Sequence, residues 1–265
     1  MEPTESTLAL REGRMLADSI EVDVSMVVPA YNKEHRIEAF LDRLVDFAEA
    51  SPLSCEIIVV ADGCTDGTCR VVEEYSRGNS AVTLLTSPTR LGKGGGLKLG
   101  FRNCRGSTIL YIDADGSYDP DQIPRLLMAL DSADCAVGSR ALPGAVLDPM
   151  PPRRRIIAGE LFSRMVKLLL LEKIMDTQAG FKAFKREVID STLGEVSTNG
   201  FDIDVQLLVR AKNKGFNLVE VPVTYRFVGG SSVNVLRDGL SMGLSVLSFW
   251  LRLKLERLML RKPDA

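Results

Sequence analysis

The chain of 265 residues is poor in several residue types, and each scarcity closes off a class of function. Five cysteines, Cys55, Cys64, Cys69, Cys104 and Cys135, are scattered with no Cys-x-x-Cys pair and no Cys/His spacing suited to zinc. An odd count with no export signal points to reduced thiols. The single histidine, His35, follows Glu34 at a helix start and reads as a surface or capping residue, not a general base. Positive charge is not in excess: 33 basic against 35 acidic side chains give a formal net charge of −2. The chain therefore carries no global footprint for nucleic acid. No window approaches the roughly 20 apolar residues of a membrane-spanning helix. Residues 1–23 are charged and contain no apolar stretch of the signal-peptide kind. The expected compartment is the cytosol or the cytosolic face of a membrane, with the protein peripheral. Repeats and low-complexity segments are absent as well.

What is present is a chain 45% hydrophobic and 26% charged, enough to fill one large domain. Its centre is residues 109–116, Ile-Leu-Tyr-Ile-Asp-Ala-Asp-Gly. A short apolar run reads as a buried parallel strand, and it delivers Asp113 and Asp115 to its carboxyl end. At i and i+2 on extended backbone the two carboxylates point the same way. Such a pair repels unless a cation sits beside it, and hard oxygen ligands near phosphate suit Mg²⁺ or Mn²⁺. Asp-x-Asp alone is common, and a solvated strand-end turn is the plainer reading.

Around that strand the chain alternates. Strands at residues 25–30, 56–61, 81–86 and 133–137 are separated by helical patterns at 37–48, 69–75, 97–103 and 121–130. Five strand–helix alternations in the first 140 residues predict a doubly wound parallel sheet. After Arg140 the rhythm breaks at Pro143, Pro149, Pro151 and Pro152, and Arg153-Arg154-Arg155 follow. Apolar periodicity then predicts a helix over 156–174, a turn and strand over 176–184, a helix over 205–214, a strand over 217–225 and a helical tail over 233–260. A further short helix is expected within residues 8–20. In the tail, Leu240, Leu244, Leu247, Leu251, Leu255 and Leu258 share one side. An amphipathic helix with basic residues can lie in a membrane interface; packing on the domain or on a second subunit, as a homodimer, stays open for the tail.

Loops after successive parallel strands converge on one rim. They bring together Pro29, Tyr31, Glu34, Asp62, Asp66, Lys93, the Asp113/Asp115 pair and Arg140. A lysine in a glycine-rich loop at a helix N-terminus suits a diphosphate. Residues 92–96, Gly-Lys-Gly-Gly-Gly, are nevertheless neither a Walker A sequence nor a G-x-G-x-x-G fingerprint. A close helix–sheet approach explains those glycines equally well.

Taken in order, the motifs resemble family 2 glycosyltransferases of the GT-A fold. They are Val28-Pro29-Ala30-Tyr31-Asn32-x-Glu34, Asp62-Gly63-x-Thr65-Asp66-Gly67-Thr68, Gly92-Lys93-Gly94-Gly95 and Asp113-Ala114-Asp115-Gly116. Gly138-Ser139-Arg140, Asp176-Thr177-Gln178-x-Gly180-Phe181-Lys182, Phe201-Asp202-x-Asp204 and residues 232–238 resemble the dolichyl-phosphate β-glucosyltransferase branch, near the dolichyl-phosphate mannose synthases. The resemblance implies an α/β fold with a mostly parallel sheet flanked by helices, and C-terminal amphipathic helices. It implies an N-terminal extension over 1–23, a catalytic domain over 24–230 with a nucleotide-sugar half (24–140) and an acceptor half (141–230), and a helical segment over 231–265. The implied reaction is inverting transfer of a hexose from UDP-glucose, or next GDP-mannose, to a polyprenyl phosphate at a membrane surface.

By motif, Pro29, Tyr31, Glu34 and Asp62 would hold the nucleoside, with Lys93 near the diphosphate. Asp113 and Asp115 would bind the metal. Arg140, with one or more of Arg153, Arg154 and Arg155, would receive the lipid phosphate, and Gln178 and Lys182 would sit near the sugar or that phosphate. Asp115, Arg140 and Asp202 are the residues expected to carry catalysis. A phosphomonoester has a second pKa of about 6 and is already an oxyanion at neutral pH. Asp202 is therefore expected to orient a group more than to abstract a proton. Two positions depart from the family pattern: Lys33 stands where a glutamate is usual, and Asp204 where a glutamate commonly closes the Phe-Asp-x-Glu motif. A transferase to a saccharide or protein hydroxyl, and a nucleotide-sugar-binding protein without turnover, are the competing readings.

Overall fold

A computed structural model describes residues 21–229 and 235–259. The expected helix within residues 8–20, and residues 232–234, lie outside the described residues. Strands β1 (Val24–Ala30), β2 (Cys55–Asp62), β3 (Val82–Ser87) and β4 (Thr108–Ile112) are short apolar runs, as fully covered parallel strands require. Helices α1 (Ile37–Ala50), α2 (Thr68–Gly78) and α3 (Lys93–Arg102) are the crossovers between them. Then come α4 (Ile123–Ala129), β5 (Cys135–Ser139), the two-residue β6 (Val146–Leu147) and α5 (Arg153–Leu169). The chain continues with β7 (Phe181–Lys185), α6 (Arg186–Thr192), α7 (Ile203–Asn213), β8 (Leu218–Pro222), β9 (Thr224–Tyr225) and α8 (Val235–Met259).

Seven strands form one sheet in the order β3-β2-β1-β4-β7-β5-β8. All adjacent pairs are parallel except those of β7, which is antiparallel to both β4 and β5. The mostly parallel sheet is thus as expected, but the simple run of five parallel strands is not. β5 does not pair with β4, because β7 arrives later in sequence and fills the gap, with Tyr111 opposite Lys182 and Val137 opposite Lys182 on its other side. The two halves expected on either side of residue 140 share this sheet.

Alternate side chains of the central strands fill two core layers. Val27, Tyr111, Val137 and Phe184 meet Leu97, Val166, Leu208 and Phe249 on one face. Met26, Val28, Ile112 and Ala183 meet Phe40, Leu44, Val72 and Leu126 on the other.

Two helices differ from expectation in a way that matters. Helix α5 begins at Arg153, so the arginine run is its first turn and not a preceding loop. It buries only Val166 fully, and leaves Ile157, Leu161 and Leu168 exposed at 66%, 68% and 84%. In α8, Val246, Phe249 and Leu253 are the residues that pack inward. The leucines Leu240, Leu244, Leu247, Leu251, Leu255 and Leu258 all face out. The two helices pack on each other. Among the described residues, no helix is long and apolar enough to cross a membrane.

Candidate active site

The carboxyl ends of β1, β2 and β4, with the loop before α3, enclose a cleft of about 130 Å³. Of the residues expected at the donor, Pro29, Tyr31, Asp62, Lys93, Asp113 and Asp115 line it. Sequence reasoning gave no binding role to three other lining residues, Lys33, Arg90 and Phe201. Arg90 lies over Tyr31, its guanidinium carbon 3.3 Å from the ring centroid. A cation over a tyrosine face is an ordinary attraction, but nothing in the local pattern of residues 87–92 announces it.

Glu34 is not among the lining residues. Its Oε2 accepts from the Gly67 backbone N–H at 3.0 Å. Asp66 accepts from Glu34 N–H at 3.1 Å and from Thr68 N–H at 3.0 Å. Asn32, at a positive φ of 50°, accepts from Thr65 N–H at 2.9 Å. These bonds lace the loop after β1 to the turn after β2. Glu34, expected at the nucleoside, thus stands on this lacing with one carboxylate oxygen held by Gly67.

The glycine-rich loop is also committed internally. Asp62 accepts from the backbone N–H groups of Leu91 and Gly92, the second at 2.9 Å. The Asn199 carbonyl accepts from Gly94 N–H at 2.9 Å, at the N-terminus of α3. A Cβ on Gly94 would lie 2.8 Å from the Asn199 carbonyl carbon and 2.9 Å from the Gly200 oxygen. These glycines therefore serve close backbone approach, and the donors at this helix start are not all open to a diphosphate.

Asp113 and Asp115 sit side by side, and Gly180 lets the β7 entry close over Asp113: its carbonyl accepts from Asp113 N–H at 2.9 Å. Lys93 Nζ lies 3.2 Å from both oxygens of Asp113. Burial would lower the Lys93 pKa, but Asp113 and Asp204 outweigh it and hold the ammonium charged. Asp115 is pushed the other way: burial first, then the neighbouring Asp113, raise its pKa.

Beneath this pair is a buried cluster. Lys182 is 0% exposed, and its Nζ lies 2.6 Å from Asp204 Oδ1 and 3.0 Å from the Tyr111 hydroxyl, and also donates to the Ala179 carbonyl. The Tyr111 hydroxyl donates to Asp204 as well. Burial raises Asp204 to about 6, only partly offset by Lys93 at 3.6 Å. Burial and the like charge of Lys93 lower Lys182. Lys182, expected near the sugar or the acceptor phosphate, thus lies buried under the floor of the site. Asp204 reaches both lysines despite being shorter than the glutamate common at its position.

Asp202 is likewise turned away. As N-cap of α7 it accepts from Thr198 Oγ1 at 2.6 Å, Gln206 Nε2 at 3.0 Å and Ser245 Oγ at 2.7 Å. These bonds tie the start of α7 to Thr198 and to α8.

On the β5 side of the rim, Asp176 takes Arg140 in a fork, Nε at 2.6 Å and Nη2 at 2.8 Å. Burial would raise the Asp176 carboxyl, but Arg140 holds it below its usual range. Glu220 in turn accepts from Asp176 N–H at 2.9 Å. The Arg140 guanidinium also lies over Tyr225, 5.1 Å from the ring centroid. The hydroxyls of Tyr118 and Thr177 and the amide nitrogen of Gln178 are buried nearby without hydrogen-bond partners among the described residues. Arg153 and Arg154 are exposed, and Arg155 lies 5.4 Å over Phe227.

The donor set fits a divalent cation in one way only. Among the described residues no group of three or more His, Cys, Asp or Glu side chains could hold a metal. Asp113 and Asp115 supply hard oxygens, with the charge of Asp115 under-compensated. A cation that keeps waters and takes oxygens from a substrate diphosphate suits such a pair, and a cage-type site does not.

Residues 25–193 match the model of glycosyl transferase family 2. Among curated relatives, glycosyltransferase AglD of Haloferax volcanii is 34% identical over 89% of this chain, which spans only 38% of AglD's length. The dolichyl-phosphate β-glucosyltransferase of Drosophila melanogaster is 32% identical, over 89% of this chain and 77% of its own. The undecaprenyl-phosphate mannosyltransferase of Micrococcus luteus is also 32% identical, over 82% and 94%. A solved glucosyl-3-phosphoglycerate synthase of Mycobacterium tuberculosis, in complex with Mn²⁺, UDP-glucose and phosphoglyceric acid, superposes with a TM-score of 0.66. It covers 95% of this chain and 84% of its own at 19% identity, which is a likeness of fold. With most of the sheet inside the matched region and relatives aligned along nearly all of its length, the chain belongs to glycosyl transferase family 2.

Proposed function

We propose that this protein transfers a hexose, with inversion, from a nucleotide sugar to the phosphate of a polyprenol at a membrane surface. The observation that carries the reading is the single cleft in which Tyr31, Lys93, Asp113 and Asp115 converge. The names of the Drosophila and Micrococcus relatives support a polyprenyl-phosphate acceptor. UDP-glucose is the favoured donor and GDP-mannose the second. Asp113 and Asp115 would hold Mg²⁺ or Mn²⁺, whose charge would stabilise the departing nucleoside diphosphate. Lys93 adds a fixed positive charge beside the same carboxylates. Arg140, oriented by Asp176, presents a charged edge on the same rim, where it would align the acceptor phosphate. That phosphate arrives as an oxyanion, so the chain needs no general base, in keeping with the three donors that occupy Asp202. The bare leucines of α5 and α8 support peripheral attachment to the bilayer that holds the acceptor.

The test is transfer of labelled sugar from UDP-glucose and GDP-mannose, in parallel, to a short polyprenyl phosphate with Mg²⁺ or Mn²⁺. Labelled lipid from one donor, abolished by EDTA and by Asp115→Asn, is the expected result. Asp202→Asn should retain far more transfer than Asp115→Asn when both bind nucleotide sugar. Tight nucleotide-sugar binding with no labelled lipid from either donor would sink the reading and favour a hydroxyl acceptor or a binder without turnover.

A further inference from the structure

A second concave site, about 260 Å³, lies between the C-terminal ends of α5 and α7 and the C-terminal half of α8. It shares no lining residue with the active-site cleft. Three lysines, Lys167, Lys212 and Lys254, line it with one carboxylate, Glu172. Among the described residues none of the three lysines forms an ion pair, and the site sets three ammonium groups against the one carboxylate of Glu172. Lys167 and Lys212 stand in the last turns of their helices, where a cation offsets the backbone dipole. That account does not reach Lys254, which lies before the last turn of α8 with its Nζ 4.1 Å over the Trp250 ring.

The surroundings identify the anion. Trp250, half-buried, is also in the lining, and its ring is amphipathic. Leu168, 84% exposed, is part of the lining, and the outward leucines Leu247, Leu251 and Leu255 run along the same helix as Lys254. A free phosphate would be served by the lysines alone and gives no reason for the exposed Leu168 in the lining or for the outward leucines along α8. A phospholipid serves both, with its acyl chains against the leucines and its phosphate among the ammonium groups. We infer that this pocket binds the phosphate headgroup of an anionic phospholipid, a lipid distinct from the acceptor. The inference rests on the membrane attachment proposed above.

Partition of the full chain onto vesicles of phosphatidylcholine, alone or mixed with phosphatidylglycerol, tests it. Each lysine near an anionic surface is worth about fivefold in partition. Lys212→Gln with Lys254→Gln should therefore remove roughly thirtyfold of the phosphatidylglycerol-dependent gain and leave binding to neutral vesicles unchanged. Arg70→Gln with Arg77→Gln removes the same charge from exposed positions on α2 and should change little. Equal losses in the two double variants, or no gain from phosphatidylglycerol in the wild type, would overturn the pocket. Lysine-dependent binding of glycerol phosphate as tight as the binding to mixed vesicles would reassign it to a free anion. Failure to bind any vesicle would instead sink the membrane attachment itself.

Discussion

Asp202 and Asp204 are two positions apart at the start of α7, and on a helix two positions amount to a rotation of about 200°. One carboxylate therefore meets Ser245 of α8 and the other meets Lys182 and Lys93 under the cleft. Both aspartates were legible as part of one motif. Which of them lies under the cleft was not, because the motif does not state where the helix begins. The same holds for Lys182: a lysine after Gly180-Phe181 reads as a rim residue, yet the alternation of β7 turns it inward beneath Tyr111. Breaking a buried pair by removing one partner costs about 3–5 kcal/mol, whereas replacing both is far milder. Lys182→Met should fall in that range in urea melts, and Lys182→Met with Asp204→Leu should recover part of the loss. A double variant less stable than the single would contradict the pairing. Asp176 supplies a pH signature. Its folded-state pKa lies below the ordinary value of 3.8, so its stabilisation is present above that pH and is lost as pH falls through the lowered value. Acid unfolding of Asp176→Asn should start from a lower plateau and be less steep below pH 3.8 than the wild type.

At the scale of elements, helix existence was readable from periodicity, but starts and packing faces were not. Helix α3 begins at Lys93, with three glycines in its first turn where a pattern-based reading begins after them. Propensity disfavours glycine there, and contact with residues 199–200 overrides it. Gly94→Ala should cost about 1–3 kcal/mol by overpacking against fixed backbone. Gly159→Ala, in α5 with open space around it, should gain about 0.5–1 kcal/mol. Thermal melts of the two decide it, and a neutral Gly94→Ala would mean that the 199–200 segment can retreat. The tail helix is apolar on both sides. The leucine repeat is its most regular feature, yet Val246, Phe249 and Leu253 are what the domain takes. Periodicity alone ranks stripes by regularity, not by which one finds a partner.

For the molecule as a whole, strand–helix alternation disclosed a mostly parallel sheet and the rim where the loops gather. It did not disclose that β7 joins the two groups of parallel strands, since the neighbour of a strand is set by the path of the whole chain and leaves no local mark. The outward apolar face is also a whole-molecule property, being shared by α5 and α8. Leu161→Asp with Leu168→Asp should reduce vesicle binding at least tenfold with the melting temperature unchanged; a change in sedimentation from dimer to monomer instead would assign that face to a second copy. The position of β7 has a consequence for biosynthesis. Until residue 185 has left the ribosome, β4 presents an unpaired edge, and the segment over residues 135–139 has no neighbour on the side that β7 will take. The nascent chain thus carries an incomplete sheet through the synthesis of its whole proline-rich loop and of α5. Chaperone demand should be concentrated in that interval, not spread evenly along translation.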